Sequence, residues 1–169
     1  MRRYNAQLIP ADKEATAIII ARQSAVLCGQ RWVEALFKQL EPSVELEWVC
    51  TDGDDLKSGN TILRLSGNAR SLLKGERTAL NFLQCLSSTA TRCAALSALI
   101  EGARATLLDT RKTLSGLRLA QKFAMVCGGG ASHRTGLYDG FLIKENHIAA
   151  CGGIAEAVAS ARLVAPGKS

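Results

Sequence analysis

The stretch LLDTRKTLSGLR, residues 107–118, decides how the chain is read. An apolar run stops at Asp109 and is followed at once by Thr110, Arg111 and Lys112. In parallel α/β folds all strands end on one rim, where loops and side chains converge on a ligand. A buried strand that ends by presenting adjacent cations suits that rim. FLIKENHI repeats the arrangement, with Lys144 directly after a second apolar run. Single Lys and Arg residues are mostly solvated surface charges. Three that follow apolar strands fit that reading much less well.

Working outward, the second half predicts a strand at Ala105 to Asp109, a helix at Leu114 to Val126 with Leu117, Ala120 and Ala124 inward, a strand at Gly140 to Ile143 and a helix at Ile154 to Val164. Short apolar strands alternating with helices argue for right-handed βαβ units in a parallel sheet or barrel. The segment CGGGASHRTGLYDG, residues 127–140, is too long for a helix-to-strand connection of about 2 to 6 residues. An additional short strand around Gly130 to His133 is expected, which brings His133 and Arg134 to the same rim. The alternative is a Gly-rich helix C-cap followed by an ordinary turn. The three glycines point only weakly to phosphate, because they follow a helix and do not open one.

The first half reads differently. ATAIIIA, residues 15–21, is a β-branched strand, and GQRWVEALFKQL places Trp32, Val33, Leu36, Phe37 and Leu40 on one helical face. VELEWVC alternates Val44, Leu46, Trp48 and Cys50 against Glu45 and Glu47. After turns at Gly53 and Gly59 comes a strand with Leu63 and Leu65 on one face and Arg64 on the other. This predicts a small sheet covered on one side. From Ala69 the pattern is helical, with Ser87 or Ser88 as the N-cap of a second helix and Gly102 as its stop. The expected division is 1–86, an α/β sandwich with a linking helix, and 87–169, a partial parallel α/β barrel.

With 169 residues and 47 % hydrophobic content, the chain has enough apolar matter for a core. Six cysteines without a CxxC pair are expected to be reduced thiols in a cytoplasmic protein. The basic start has no apolar segment to act as a signal peptide, and no run approaches the ~20 apolar residues of a membrane span. Residues 1–84 hold 11 Lys and Arg against 10 Asp and Glu, whereas residues 85–169 hold 10 against 5, so the second half carries most of the net charge of +6. Nucleic acid is not expected as a partner, because the cations are isolated and only 5 % of the chain is aromatic. A small anionic ligand is the better match.

GERTALNFLQ, LLDTRKTLSGLR, CGGGASHR and FLIKENHI, in this order, closely resemble the quinolinate phosphoribosyltransferase family. The LIPADKEATAIIIARQSAVLCG segment extends the likeness over nearly the whole chain. The resemblance implies an α/β sandwich followed by an α/β barrel in a homodimer. It also implies a reaction of quinolinate with phosphoribosyl pyrophosphate that yields nicotinate mononucleotide, pyrophosphate and carbon dioxide in NAD biosynthesis. Arg77, Thr110, Arg111, His133, Arg134 and Lys144 then belong to the quinolinate site, with Arg77 reaching across to the partner subunit. Lys112 is implied as the catalytic residue, near the donor, where it stabilises charge on the departing pyrophosphate. Mg²⁺ is implied only as the donor's companion, with no metal ligands expected in this chain.

Ser115 stands where the family usually has Pro, Ser132 where Asn is common and Ser88 where Gly is common. None of these removes a charge. The family is also longer on both sides, so the chain is expected to be an incomplete copy that carries the quinolinate half-site and lacks turnover. Two competing readings are an inactive anion-binding or dimerisation fragment, and a relative acting on a monocarboxylate such as nicotinate. Four cations with His133 favour a dicarboxylate.

Overall fold

The computed structural model describes residues 7–167. The basic start MRRYNA and the final Lys168 and Ser169, which the expected division assigns to its two units, lie outside the described residues.

The first half builds a three-stranded antiparallel sheet from β1 (Glu14–Ile20), β3 (Glu45–Trp48) and β5 (Thr61–Asn68), with β5 in the middle. Ile19 and Trp48 both lie opposite Leu63, and Ala17 and Leu46 opposite Leu65. The alternation predicted for β3 and β5 is present: Leu63 and Leu65 are buried, while Arg64 faces outward and pairs with Glu47 at 3.3 Å. The sheet is covered on one face, as expected, and Ile18 stays exposed on the other. The sequence reading missed a second ribbon of two short strands, β2 (Ala25–Val26) and β4 (Asp55–Leu56).

Helix α1 (Gln30–Leu40) lays Val33 and Phe37 into the core. Its first amides, those of Gly29 and Gln30, donate to Asp52 Oδ1 at 2.8 and 3.1 Å. A carboxylate there satisfies orphan donors and meets the positive end of the helix dipole. Helix α2 (Ala69–Leu99) starts at Asn68, whose side chain accepts from the amides of Arg70 and Ser71. Gly75 lets the two helices touch, because a Cβ there would lie 2.6 Å from the Phe37 ring.

α2 corrects one expectation. It is a single helix through residues 86–88, and neither Ser87 nor Ser88 caps a new one. The Ser87 hydroxyl instead accepts from the Cys28 amide at 2.9 Å and donates to the Cys28 carbonyl at 3.2 Å. Thr91 Oγ1 accepts from the Val26 amide in the same way. The Ser87 hydroxyl, which resembles a cap in the sequence, thus pairs the chain just beyond β2, and Thr91 pairs β2 itself. The helix ends before Gly102, which takes φ +80° as a stop residue should.

α2 spans both parts of the core. Its Leu72, Ala79 and Leu83 join Leu27, Phe37, Ile62, Leu63 and Leu65, whereas its Leu86 and Ala90 join Val26, Cys28, Ala120 and Ala124. The last two belong to α3 (Arg118–Cys127), which starts four residues later than expected. Residues 114–117 form a turn, Leu117 N–H to Leu114 C=O, held by the Gln121 side chain, which accepts from the Leu114 amide at 2.8 Å. Leu117, Ala120 and Ala124 face the core as expected.

The strands expected at Ala105 to Asp109 and Gly140 to Ile143 are not formed as ladders among the described residues. What exists is one parallel bridge, Leu108 with Ala131, made by Ala131 N–H to Leu107 C=O at 2.8 Å and Asp109 N–H to Ala131 C=O at 3.2 Å. The apolar pattern is present, but a ladder also needs a hydrogen-bonded neighbour along its length; among the described residues Ala105 to Asp109 has one only at this point and Gly140 to Ile143 has none. Helix α4 (Glu145–Cys151), which follows, was not foreseen, and α5 (Ile154–Val164) has the expected limits.

Candidate functional site

The bridge brings residues 107–112 beside residues 131–134, and Asp109 locks them together. Its Oδ1 accepts from Lys122 Nζ at 2.5 Å and from the His133 amide at 2.9 Å. Its Oδ2 accepts from the Ser132 hydroxyl at 3.1 Å. Lys122 Nζ donates a further bond to the His133 carbonyl at 2.7 Å. Both charged side chains are about 95 % buried, and the hydrogen bonds to each offset the cost of removing them from water.

Beyond Asp109 the chain turns outward. Thr110 Oγ1 accepts from the Lys112 amide at 3.1 Å, which curls the segment and exposes Lys112. Thr110, Lys112 and Thr113 line a cleft of about 490 Å³ between α2 and α3, with Arg92 from α2 and Gln121 from α3. Arg111 is half-buried, and its Nε is enclosed with no hydrogen-bond partner. Across the bridge, His133 follows Ser132, and Arg134 Nη1 donates to the Gly140 carbonyl at 3.1 Å. The turn beyond it is fixed by Asp139, whose carboxylate accepts from the Thr135 and Gly136 amides and is held below the usual carboxylate range chiefly by the first of these.

Of the residues singled out in the sequence, Thr110 and Lys112 share the cleft, and Arg111, His133 and Arg134 lie on the two segments that Asp109 joins. Lys144 sits at the N-cap of α4, where its amide donates to His147 Nδ1 at 3.1 Å, outside the cleft lining. Arg77 is exposed on α2 and does not join them. It precedes Arg92 by fifteen residues, roughly 22 Å of helix at 1.5 Å per residue. Among the described residues the ion pairs are Arg64 with Glu47 and Lys122 with Asp109, so Arg111, Lys112 and Arg134 have no carboxylate partner.

Two features were missed. Lys122 is the cation that balances Asp109, and the helical pattern gave no signal for it, because it lies two residues from both Ala120 and Ala124, on the side of α3 away from the face assigned inward. The glycines of residues 128–130 are explained by packing. A Cβ on Gly128 would overlap the Ala90 carbonyl and lie 2.6 Å from Cys93, and one on Gly130 would lie 2.8 Å from the Cys93 sulfur. They let the end of α3 lie against α2, so each reading of this segment holds in part: Gly128 caps α3, and Ala131, within the expected Gly130 to His133 strand, makes the parallel bridge to Leu108.

Models of the quinolinate phosphoribosyl transferase N-terminal domain and C-terminal domain match residues 3–87 and 89–169. The chain belongs to the quinolinate phosphoribosyltransferase family. It is 42 % identical over 154 residues to a chloroplastic nicotinate-nucleotide pyrophosphorylase of Arabidopsis thaliana, covering 90 % of this chain and 43 % of that protein. A probable nicotinate-nucleotide pyrophosphorylase of Bacillus subtilis is 41 % identical over 159 residues, covering 94 % and 55 %. The solved nicotinate-nucleotide pyrophosphorylase of Francisella tularensis superposes with a TM-score of 0.94 at 46 % identity, over 98 % of this chain and 59 % of that one. The chain therefore spans about half the length of the curated relatives it matches. Its α/β fold is that of the family.

Proposed function

We propose that this chain supplies the quinolinate-binding part of a phosphoribosyltransferase that makes nicotinate mononucleotide from quinolinate and phosphoribosyl pyrophosphate. The observation that carries the proposal is that Asp109 is neutralised internally by Lys122, which leaves Arg111, Lys112 and Arg134 without a counter-ion among the described residues, on two adjoining segments. Such a rim suits a dicarboxylate, since each charge-assisted hydrogen bond contributes about 1.5 to 3 kcal/mol. Arg111 and Arg134 offer planar forks to the carboxylates, and His133 and Lys144 complete the set. Arg77 serves the partner subunit's site in a homodimer, in keeping with its distance from the cleft. The two units meet within α2 near Leu86.

With quinolinate held, its ring nitrogen attacks the ribosyl carbon as the bond to pyrophosphate oxygen breaks and the electron pair leaves with that oxygen. Lys112 stabilises the departing charge. The ring is then a pyridinium, so the carboxylate beside nitrogen leaves as carbon dioxide, and the electron pair left on carbon takes up a proton. Mg²⁺ enters as part of the donor substrate. The carboxylate at the cleft, Asp109, has both oxygens engaged, and the described residues hold no cluster of three metal-ligating side chains, so no step is assigned to a resident metal.

Calorimetry of this chain with quinolinate and with nicotinate tests the reading. Quinolinate is expected to bind at least about tenfold more tightly, because nicotinate lacks the second carboxylate. Equal affinity for the two, or no binding of quinolinate, counts against it.

A further inference from the structure

Lys122 lies on α3, which carries none of the residues proposed to touch substrate, yet its ammonium group reaches both segments that do. It bonds Asp109 Oδ1, directly before Thr110, and the carbonyl of His133, directly before Arg134. Through Asp109 it is also joined to the His133 amide and the Ser132 hydroxyl. We propose that Lys122 is a positioning residue for dicarboxylate binding: it sets the separation and register of the Thr110–Lys112 and His133–Arg134 segments, and with them the spacing of the cations. This rests on the quinolinate reading above.

The reason lies in how little else joins these segments. The backbone provides one parallel bridge of two hydrogen bonds, and one bridge leaves two strands free to pivot about it. The ammonium group and the Asp109 carboxylate add hydrogen bonds on one side of that bridge, from a side chain anchored in a helix. A pair buried this deeply is weak evidence of stabilisation, because apolar replacements of similar size are often as stable. Retaining charge there is better explained by geometry.

The test compares Lys122→Met with the double variant Asp109→Asn/Lys122→Met. The single variant strands a buried carboxylate and should lower the melting temperature. The double variant removes both charges, so its melting temperature should return to near that of the unmodified chain. The side-chain carbonyl introduced at position 109 still accepts from the His133 amide, but the bond to the His133 carbonyl is gone. Quinolinate affinity, by calorimetry, should therefore stay weakened about tenfold or more in the double variant, although folding is restored. Recovery of affinity together with stability would overturn the proposal, because a purely structural pair behaves that way. Ser132→Ala, which removes one exposed hydroxyl from the network, should weaken binding about two- to fivefold without affecting folding, and an unchanged affinity counts against the network.

Should the unmodified chain bind no quinolinate, the functional reading fails, and the role of Lys122 is then judged by amide exchange. Loss of protection at Ala131 and His133 in the double variant, with α2 unaffected, supports the positioning. Unchanged protection there refutes it.

Discussion

Arg111 and Lys112 are neighbours in sequence but are held differently. Arg111 is half-buried with its Nε enclosed and unpartnered, while Lys112 stands exposed on the cleft wall. An enclosed fork suits a bidentate contact with a carboxylate, which a lysine cannot make. Arg111→Lys is therefore expected to weaken quinolinate binding by about tenfold, measured by calorimetry. The thiols divide in the same way. Burial pushes the Cys28 thiol far up, helped by Cys127 and the Asp52 carboxylate, and burial also raises Cys127, while Cys151 is exposed. At neutral pH iodoacetamide should label Cys151 first and Cys28 only after unfolding, as read by peptide mass. The raised thiols have a further effect on pH dependence. Stability from them is complete below the ordinary thiol value of about 8.5 and declines as pH rises above it, because the unfolded thiols release protons that the folded ones keep. Melting temperatures taken above that pH should fall less steeply for Cys28→Ala than for the unmodified chain.

Among the elements, α2 shows where sequence reasoning reached its limit. Ser87 and Ser88 follow a Leu and precede a fresh helical pattern, which is how a cap looks when only local signals are available. The Ser87 hydroxyl serves Cys28, fifty-nine residues away, and no local pattern reveals such a partner. Ser87→Ala leaves both backbone groups of a fully buried residue short of a partner and should cost about 1 to 3 kcal/mol in chemical denaturation. The antiparallel strands β1, β3 and β5 were legible because each shows its own alternation or β-branched run. The barrel strands were not, because an apolar run such as LLD or FLI says nothing about whether a neighbour lies alongside to accept its hydrogen bonds. The meeting of the Thr110–Lys112 and His133–Arg134 segments was legible from the order of the motifs, whereas the Asp109–Lys122 lock was hidden by the habit of assigning lysine to solvent.

For the whole molecule, the proposed homodimer turns on Arg77. It lies too far along α2 to reach the cleft of its own chain, so the homodimer reading makes a stoichiometric prediction. Mixing Arg77→Ala with Lys144→Ala chains gives dimers of which about half are mixed, each with one intact site and one doubly altered site. Calorimetry should then find roughly a quarter of all sites binding quinolinate at the unmodified affinity. If Arg77 acts in its own chain, none recover.

The unbroken course of α2 has a thermodynamic meaning as well. Each tryptophan reports on one of the clusters it threads, Trp48 on the sheet side and Trp32 on the α3 side. A flexible tether would allow one cluster to melt while the other persisted. A shared helix makes them a single cooperative unit, because the turns near Leu86 cannot unwind for one cluster and stay wound for the other. Fluorescence of Trp32→Phe and Trp48→Phe, followed in urea, should give coincident midpoints once each variant's own stability is allowed for by circular dichroism. Two separated transitions would mean that the helix joins the clusters without coupling their unfolding.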